Sequence, residues 1–193
     1  MSVSEISNLS IFFQKFSGIG AKQSKKMANQ ILKFNEDEFK EFLFLLNNLK
    51  EKVHNCIICQ NYTIDETCSI CSSKMREDKL MIVESIEDIL RYEEWGIFQG
   101  KYFVFPILFN NDFSRKMDID ISKLQKYCLN FKEVVIALSA TIEGTLTANF
   151  LNENLSEITK VSHLANGVPV GATIEYIDKL TFLQALKNRK EAI

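Results

Sequence analysis

Four cysteines in two closely spaced pairs constrain the fold of this chain more than any other feature of its sequence. Their spacing is Cys56-x2-Cys59-x8-Cys68-x2-Cys71, within a short polar stretch at 55–79. Each CxxC turn places two thiolates on one side of a tight loop, and two such turns complete a tetrahedron around Zn²⁺. Because four thiolates leave no open coordination position, the pattern predicts one structural zinc ion per chain. Four unrelated cysteines, or a redox pair, are the alternatives.

The fifth cysteine and the bulk composition exclude several classes of protein. Cys128 stands among apolar residues, so we expect a small buried side chain and not a nucleophile. No run approaches the roughly 18 to 20 apolar residues that a membrane span needs. The first residues also lack the layout of a secretion signal. We therefore expect a cytoplasmic protein with no membrane partner.

Charge is unevenly distributed along the chain. The formal net charge is only −2, so any nucleic-acid binding must come from local charge. Residues 1–35 contain five lysines and one acidic residue, a balance of +4, whereas residues 81–193 contain twelve basic and fifteen acidic residues, a balance of −3. This asymmetry points any phosphate contact towards the N-terminal end.

The first 54 residues have the periodicity of three helices. Apolar residues at 3-4-3 spacing predict a first helix that stops at Gly18: Ile6, Leu9, Phe13 and Phe16. A second helix is expected after Gly20, with an inner face of Met27, Ala28, Ile31 and Leu32. Asn35 and Glu38 predict a capping box for a third helix. Its broad apolar stripe belongs either to a domain core or to a subunit interface, and comprises Phe39, Phe42, Leu46, Leu49 and Val53.

Strands and helices alternate in the remainder of the chain. Strands are predicted at 80–83, 102–105, 134–138 and 158–163. Helices are predicted at 86–94, 120–130, 143–154 and 180–187, the first of them capped by Ser85 with Asp88 at the third position. This alternation predicts a mostly parallel sheet. The fold class is therefore α/β, or α+β in several modules: helical at 1–54, four-cysteine at 55–79, sheet at 80–164 and C-terminal loop and helix at 165–193.

The segment FSGIGAKQSKKMA, at 16–28, has the pattern of a helix-hairpin-helix. Its two glycines lack side chains, so backbone amides at the start of the second helix can approach a DNA phosphate closely. Lysines follow within the next turns, and such contacts are sequence-independent and sensitive to salt. The candidate DNA-binding residues are Gly18, Gly20, Lys22, Lys25 and Lys26. A helix-ending glycine beside a solvated lysine face is the alternative.

A carboxylate at the end of the first sheet strand and a later SATIEG segment resemble the Toprim fold of topoisomerases and primases. In that fold a glutamate and a DxDxxG motif hold Mg²⁺, but here Ser139 and Thr141 occupy the two aspartate positions. Glu84, even with Glu143, supplies too little negative charge for a two-metal phosphoryl-transfer site. A Mg²⁺-dependent nuclease or primase-like enzyme is therefore the less favoured alternative. The GVPVG segment at 167–171 predicts a sharp, rigid turn.

The order of these segments resembles the RecR family of bacterial recombination mediators. The stretches that carry the resemblance are GIGAKQSKKMA, CIICQNYTIDETCSICSSKMRED, MIVESIEDIL, TIEGTLTANFL and LANGVPVGATIEYIDKLTFLQAL. It implies a non-enzymatic protein of recombinational DNA repair that binds single- and double-stranded DNA as a homodimeric or homotetrameric ring. With RecO, and often RecF, such a protein helps to load RecA onto single-stranded DNA coated by single-strand binding protein.

The resemblance also implies roles for individual residues. Lys22 and Lys26 match basic hairpin residues that face DNA, and the four clustered cysteines match zinc ligands. Glu84 and Glu143 match acidic positions that are more relevant to partner contact than to chemistry. Asp178 lies in a segment similar to a Walker B-like motif, which does not indicate ATP hydrolysis without a Walker A motif.

Several positions depart from the family pattern. Ser17 replaces a usual proline, Thr145 replaces a glutamate, and Ser139-Ala140-Thr141 replaces Asn-Pro-Thr. A Gly-Gly-containing segment is replaced within 105–118, so the family role of that loop is open here. A zinc-held adaptor that binds only protein is a third interpretation.

Overall fold

The computed structural model describes residues 4–109 and 120–189 of the chain, which divides into two compact units, Met1–Val53 and His54–Ile193. In the first unit the elements are α1 (Ser4–Phe13), α2 (Ala21–Ile31) and α3 (Glu36–Lys52). In the second they are β1 (His54–Asn55), β2 (Tyr62–Thr63), α4 (Ser69–Ser72), β3 (Lys79–Val83), α5 (Ile86–Trp95), β4 (Lys101–Val104), α6 (Ser122–Cys128), β5 (Glu133–Ala137), α7 (Ile142–Leu155), β6 (Lys160–His163), a 3₁₀ turn (Ile174–Tyr176) and α8 (Lys179–Lys187).

The first helix is shorter than its apolar stripe predicts. α1 ends at Phe13, and the expectation that it continues to Gly18 is wrong. After Phe13 the amides of Lys15 and Phe16 bond to carbonyls three residues back, at 3.1 Å each, so the chain tightens out of α-helical geometry. Gly18 then turns the chain with φ +80°, a left-handed conformation that glycine adopts without strain.

α1 and α2 pack against each other through a small buried polar contact. The hydroxyls of Ser10 and Ser24 lie 2.9 Å apart and both side chains are buried. Ala28 is also buried, as expected for the inner face of α2. Leu32 does not belong to that face: it lies just past the end of α2, where its side chain is 67% exposed.

α3 has the predicted N-terminus but no buried side chain. The Asn35 side chain accepts hydrogen bonds from the amides of Asp37 and Glu38, and Glu38 bonds back to the Asn35 amide at 2.8 Å, which confirms the capping box. None of the residues of α3, all of which the structure describes, is buried. The apolar stripe therefore forms no closed core within the single chain, and the subunit interface remains the prediction for it.

The second unit is built on a four-stranded sheet in the order β4-β3-β5-β6, with every neighbouring pair parallel. The predicted parallel sheet is therefore confirmed, and each strand begins within two residues of its predicted start. β3 and β5 are central, with β4 and β6 at the edges. Because chain connections leave β3 and β5 in opposite directions, the sheet has its switch point between these two strands, where open α/β sheets bind ligands.

Two hydrophobic clusters cover the two faces of the sheet. Leu80 and Ile82 of β3 belong to one cluster, and Met81 and Val83 belong to the other, as the alternation of side chains along a strand requires. The first cluster contains Cys128, which is fully buried as predicted, and burial raises the pKa of its thiol to about 12. The second cluster contains the four paired cysteines.

Short segments at the strand ends fix the surrounding helices. Ser85 caps α5 as predicted, and Asp88 bonds back to the Ser85 amide, which completes a capping box. The segment after β4 enters the core at Phe105 and Leu108, and the Leu108 amide donates to the Thr147 hydroxyl on α7 at 3.1 Å.

Residues 110–119, which include most of the altered 105–118 loop, lie outside the described residues. Among the described helices, none has the length and apolarity needed to cross a membrane.

Candidate metal centre and nucleic-acid interface

The four paired cysteines converge on one point. Their Sγ atoms all lie within 4.8 Å of one another, and all four side chains are buried. A tetrahedral zinc site with bonds of about 2.3 Å has sulfur atoms about 3.8 Å apart, so this spacing fits a single ion held by four thiolates. The cluster can therefore hold a metal ion.

Local backbone structure explains how this polar segment brings its cysteines together. β1 and β2 form an antiparallel pair with His54 opposite Thr63. Between them the Cys56 amide donates to the Asn61 carbonyl at 2.7 Å, and Gln60 takes a left-handed φ of 67°, which turns the chain back on itself. In the second cysteine pair, Cys71 lies on α4 and Cys68 stands immediately before that helix. The hairpin and the short helix were not predicted from the sequence.

Close packing of the four thiols favours the thiolate form at one of them, Cys68. Hydrogen bonds from the Cys59 and Cys71 thiols lower the pKa of Cys68 to about 2, while the bond between Cys59 and Cys68 raises the pKa of Cys59. The Cys68 amide also donates to the Cys56 sulfur at 3.4 Å. A set of four soft sulfur donors with no open position suits a structural ion.

The cysteine segment is attached to β4 and to α6 through backbone and side-chain contacts of Cys59 and Cys71. The Val104 amide on β4 donates to the Cys59 carbonyl at 2.9 Å. Lys101, at the start of β4, donates through Nζ to the Cys71 carbonyl at 2.7 Å. The Tyr127 hydroxyl on α6 lies 3.7 Å from Cys71 Sγ. Sequence patterns did not indicate Lys101 or Tyr127, because both come from elements distant along the chain.

An ion pair ties the end of the cysteine segment to α5. Arg76 donates to both carboxylate oxygens of Glu93, and also to the Gly100 carbonyl at 3.3 Å. This bond lowers the pKa of Glu93. The RED sequence that follows the cysteines thus has a structural role in the fold.

The second predicted site, in the first unit, is formed by the N-terminus of α2. Gly20 precedes the helix in an extended conformation and offers no side-chain cap. The first intrahelical bond joins the Ser24 amide to the Gly20 carbonyl at 3.0 Å, so the preceding three amides have no partner within the helix. The first turn contains no acidic residue.

The glycines and lysines predicted to bind DNA lie on an open surface of this hairpin. A Cβ atom built at Gly18 or Gly20 would meet nothing within 4 Å, so a ligand can approach the backbone there. Ile19 between them is half-buried, as a residue anchoring the turn should be. The three lysine side chains of α2 are exposed, at Lys22, Lys25 and Lys26. Free amides and nearby ammonium groups together provide the chemistry of an anion-binding surface.

The third predicted group lies at the switch point of the sheet. Glu84 follows β3 directly and accepts two hydrogen bonds from Ser139, which follows β5. Thr141 caps α7 by accepting from the Gly144 amide at 3.0 Å, and Glu143 lies in the first turn of that helix. Thr141, at one of the two aspartate positions of a Toprim motif, therefore serves as a helix cap.

Asp178, in the Walker B-like segment, is also a helix cap. Its carboxylate accepts from the amides of Leu180 and Thr181 at 2.9 and 3.0 Å and from the Thr181 hydroxyl at 2.6 Å. These bonds lower the pKa of Asp178. The carboxylate is thus occupied in starting α8.

Comparison with known proteins gives matches over nearly the whole chain. A family model described as Toprim domain matches residues 78–165, and one described as RecR, C-terminal matches residues 167–190. The protein named Recombination protein RecR from Mycoplasmopsis pulmonis (strain UAB CTIP) is 37% identical over 186 residues, 96% of this chain and 97% of its own length. A protein of the same name from Francisella tularensis subsp. novicida (strain U112) is 35% identical over 184 residues, 91% of this chain and 90% of its own.

Proposed function

This chain belongs to the RecR family of recombination proteins, and from that premise we propose that it is a non-catalytic, DNA-binding mediator of recombinational DNA repair. The hairpin between α1 and α2 is the structural feature that supports DNA binding. There, the uncapped first turn of α2 lies beside three exposed lysines, and no acidic side chain from that turn opposes an incoming phosphate.

Binding through this hairpin is independent of nucleotide sequence. Backbone amides and lysine ammonium groups recognise phosphates and carry no information about the bases. The residues in contact are Gly18, Gly20, Lys22, Lys25 and Lys26. Because phosphates occur in every polynucleotide, both single- and double-stranded DNA are ligands, and affinity falls steeply as salt rises.

One zinc ion per chain occupies the four-cysteine cluster. The burial of all four thiols and their mutual distances support this assignment. Zinc is the metal that fits best, because four thiolates in a tetrahedral arrangement are its usual structural ligands. The ion holds together a segment that has few large apolar residues of its own, and it takes no part in chemistry.

The Toprim region acts as a scaffold and not as an enzyme. Glu84, directly after β3, matches a Toprim metal ligand, and both of its oxygens accept hydrogen bonds from Ser139. Neutral Ser139 and Thr141 replace the aspartates that would bind Mg²⁺. The Toprim match alone suits a nuclease or primase-like enzyme as well, but the replacement of both aspartates disfavours that alternative.

The partners follow from the family. RecO is the protein partner, with RecF as a second where it is present, and Glu84 and Glu143 are the contact residues. Together these proteins load RecA onto single-stranded DNA covered by single-strand binding protein. These roles rest on the family resemblance. They imply a cytoplasmic protein, because bacterial DNA lies in the cytoplasm and cysteine thiols stay reduced there.

Self-association forms a homodimeric or homotetrameric ring. Support comes from the apolar stripe of α3, with Phe39 42%, Leu46 47% and Leu49 61% exposed. The C-terminal region provides a second apolar surface, with Ile174 and Leu180 both largely exposed.

Taken together, these assignments divide the chain into a hairpin domain at 1–54, a zinc segment at 55–79, a Toprim domain at 80–164 and a subunit-contact segment at 165–193.

Reconstitution tests the function. Purified protein, its cognate RecO, single-strand binding protein and RecA are combined on single-stranded DNA, and the DNA-dependent ATPase of RecA reports loading. We expect faster loading only when this chain and RecO are both present. A gel shift on long DNA at low salt accompanies the assay: failure to bind any polynucleotide would favour the protein-only adaptor, and Mg²⁺-dependent cleavage would favour the enzyme.

A further inference from the structure

We propose that Tyr127 is an outer-shell residue of the zinc site, whose hydroxyl donates a hydrogen bond to the metal-bound sulfur of Cys71. This inference rests on the proposed zinc assignment. Tyr127 lies on α6, 56 positions along the chain from Cys71, and its oxygen is 3.7 Å from the sulfur. That distance is within the range of hydrogen bonds to sulfur, whose atomic radius is larger than that of oxygen.

The direction of this bond follows from the chemistry of its two atoms. A thiolate that binds zinc has no proton to give, so its remaining lone pairs can only accept. A phenol has an ordinary pKa of about 10 and keeps its proton at neutral pH. Tyr127 is therefore the donor whenever the metal is bound.

Packing holds the phenol ring in place for this contact. The ring of Phe131 stands edge-on to that of Tyr127, with centroids 4.9 Å apart, and the ring of Phe103 lies 6.2 Å away on the sheet. Both phenylalanines belong to the buried cluster on one face of the sheet, whereas Cys71 belongs to the cluster on the other. Tyr127 thus joins the metal centre to the far core cluster.

Cys71 is held at a second point by the same unit. Lys101 donates to its carbonyl at 2.7 Å, so the backbone of Cys71 is fixed by β4 and its sulfur by α6. Outer-shell donors orient the ligand and offset part of the negative charge that four thiolates concentrate around one ion, and loss of such partners typically weakens metal binding by about 10- to 100-fold. We therefore assign to Tyr127 a role in metal retention that goes beyond the four ligands.

The experiment compares Tyr127→Phe with the wild-type protein in the full chain. The substitution removes the hydroxyl and keeps the ring that packs against Phe131. Zinc transfer to a chromogenic chelator is timed, and we expect it to be about tenfold faster in the variant. After replacement of zinc by Co²⁺, we expect the sulfur-to-metal charge-transfer band to move to longer wavelength, because a thiolate without its donor gives up electrons more readily.

Tyr62→Phe is the matched control, since Tyr62 lies on β2 within the zinc segment and its side chain is 57% exposed. The proposal predicts wild-type release and a wild-type cobalt band for this control. Equal release and an unmoved band in Tyr127→Phe, or equal acceleration in both variants, would overturn it. A wild-type protein that binds neither Zn²⁺ nor Co²⁺ would instead sink the zinc assignment itself, and the role of Tyr127 with it. The cobalt band is read at equilibrium in folded protein, so a change in stability alone does not move it.

Discussion

Ser139 occupies both carboxylate oxygens of Glu84. Its backbone amide donates to one oxygen at 3.0 Å and its hydroxyl donates to the other at 2.7 Å. The contact joins the ends of the two central strands, β3 and β5, at the switch point of the sheet. A carboxylate that served Mg²⁺ would direct its lone pairs at the ion, whereas here they hold a turn.

Glu84→Gln is therefore expected to lower the stability of the fold. No DNA cleavage is expected from either the wild-type protein or the variant. An amide oxygen can replace only one of the two acceptors, so we expect a loss of about 1 kcal/mol in the free energy of unfolding, measured by urea denaturation. Glu87→Gln, at an exposed position on α5, is the control and should be neutral. Mg²⁺-dependent cleavage by the wild-type protein that disappears in Glu84→Gln would contradict the scaffold assignment.

Lys22→Ala combined with Lys26→Ala is expected to weaken DNA binding and reduce its salt dependence. Each lost phosphate contact lowers the log–log salt slope by about 0.9 on duplex DNA, so the double variant should lose roughly two units. Fluorescence anisotropy at several salt concentrations measures both quantities.

Lys123→Ala combined with Lys126→Ala removes the same charge from α6 and should leave the slope unchanged. If the hairpin variant kept its affinity and slope while the α6 variant lost them, the DNA interface would lie on the other unit.

Metal analysis of the purified protein should find about one zinc per chain, and Cys68→Ser should lower both metal content and melting temperature. Loss of a structural metal is among the few single changes that cost about 4 kcal/mol or more. Cys128→Ala is the matched control, because it removes a buried thiol from the other core cluster and should keep the metal. Equal zinc content and melting temperature in Cys68→Ser and wild type would refute the assignment.

Acid should weaken the contact between Arg76 and Glu93. In the folded state the bond from Arg76 lowers the pKa of the Glu93 carboxyl below its usual value of 4.5. The stabilisation that this ion pair gives to the fold is therefore complete above about pH 4.5 and is lost as pH falls through the lowered pKa. Glu93→Gln should cost about 1–3 kcal/mol at pH 7 and show a shallower loss of stability below pH 4.5.

Glu94→Gln, one position further along α5 and exposed, is the control for this change and should follow the wild-type pH curve. Thermal unfolding from pH 3 to pH 7 gives the comparison. Parallel curves for wild type and Glu93→Gln would show that the ion pair contributes nothing to the pH dependence.

Gly144→Ala should distort the start of α7. A Cβ atom at Gly144 would lie 2.0 Å from the Ser139 carbonyl oxygen, which is backbone and cannot swing away. We expect a cost of about 1–3 kcal/mol or more, with loss of the Ser139 contact to Glu84. Gly167→Ala, where a Cβ would meet nothing within 4 Å, should be nearly neutral in the same melting experiment.

The sequence predicted what depends on local periodicity and on closely spaced side chains. The four strands of the parallel sheet, their helices and the helix caps at Asn35 and Ser85 follow from patterns within a few residues, and the cysteine cluster follows from its spacing. The end of α1 was misplaced, because a Phe at the right interval looks the same in a helix as in the tightened turn after it. The position of Leu32 was wrong for a similar reason.

Those local patterns do not predict contacts between residues that are far apart along the chain. The bond from Tyr127 to Cys71 depends on how α6 crosses the sheet, and the pair of Ser10 and Ser24 depends on how α1 meets α2. The serines did leave a signal: each stands at an inward position of an otherwise apolar helical stripe, Ser10 four residues after Ile6 and Ser24 four before Ala28. Two small polar residues at facing positions are the pattern to look for.

Because the four cysteines share a cluster with Met81, Val83 and Ile89, the segment at 55–79 is not an interchangeable cassette. Grafting it onto another protein would leave its inner surface without a counterpart, and deleting it would uncover one face of the sheet. A metal-independent version of this chain would therefore need several simultaneous replacements, with apolar side chains of matching volume at all four thiol positions. Stepwise substitution would pass through intermediates with an incomplete ligand set and a poorly filled interior.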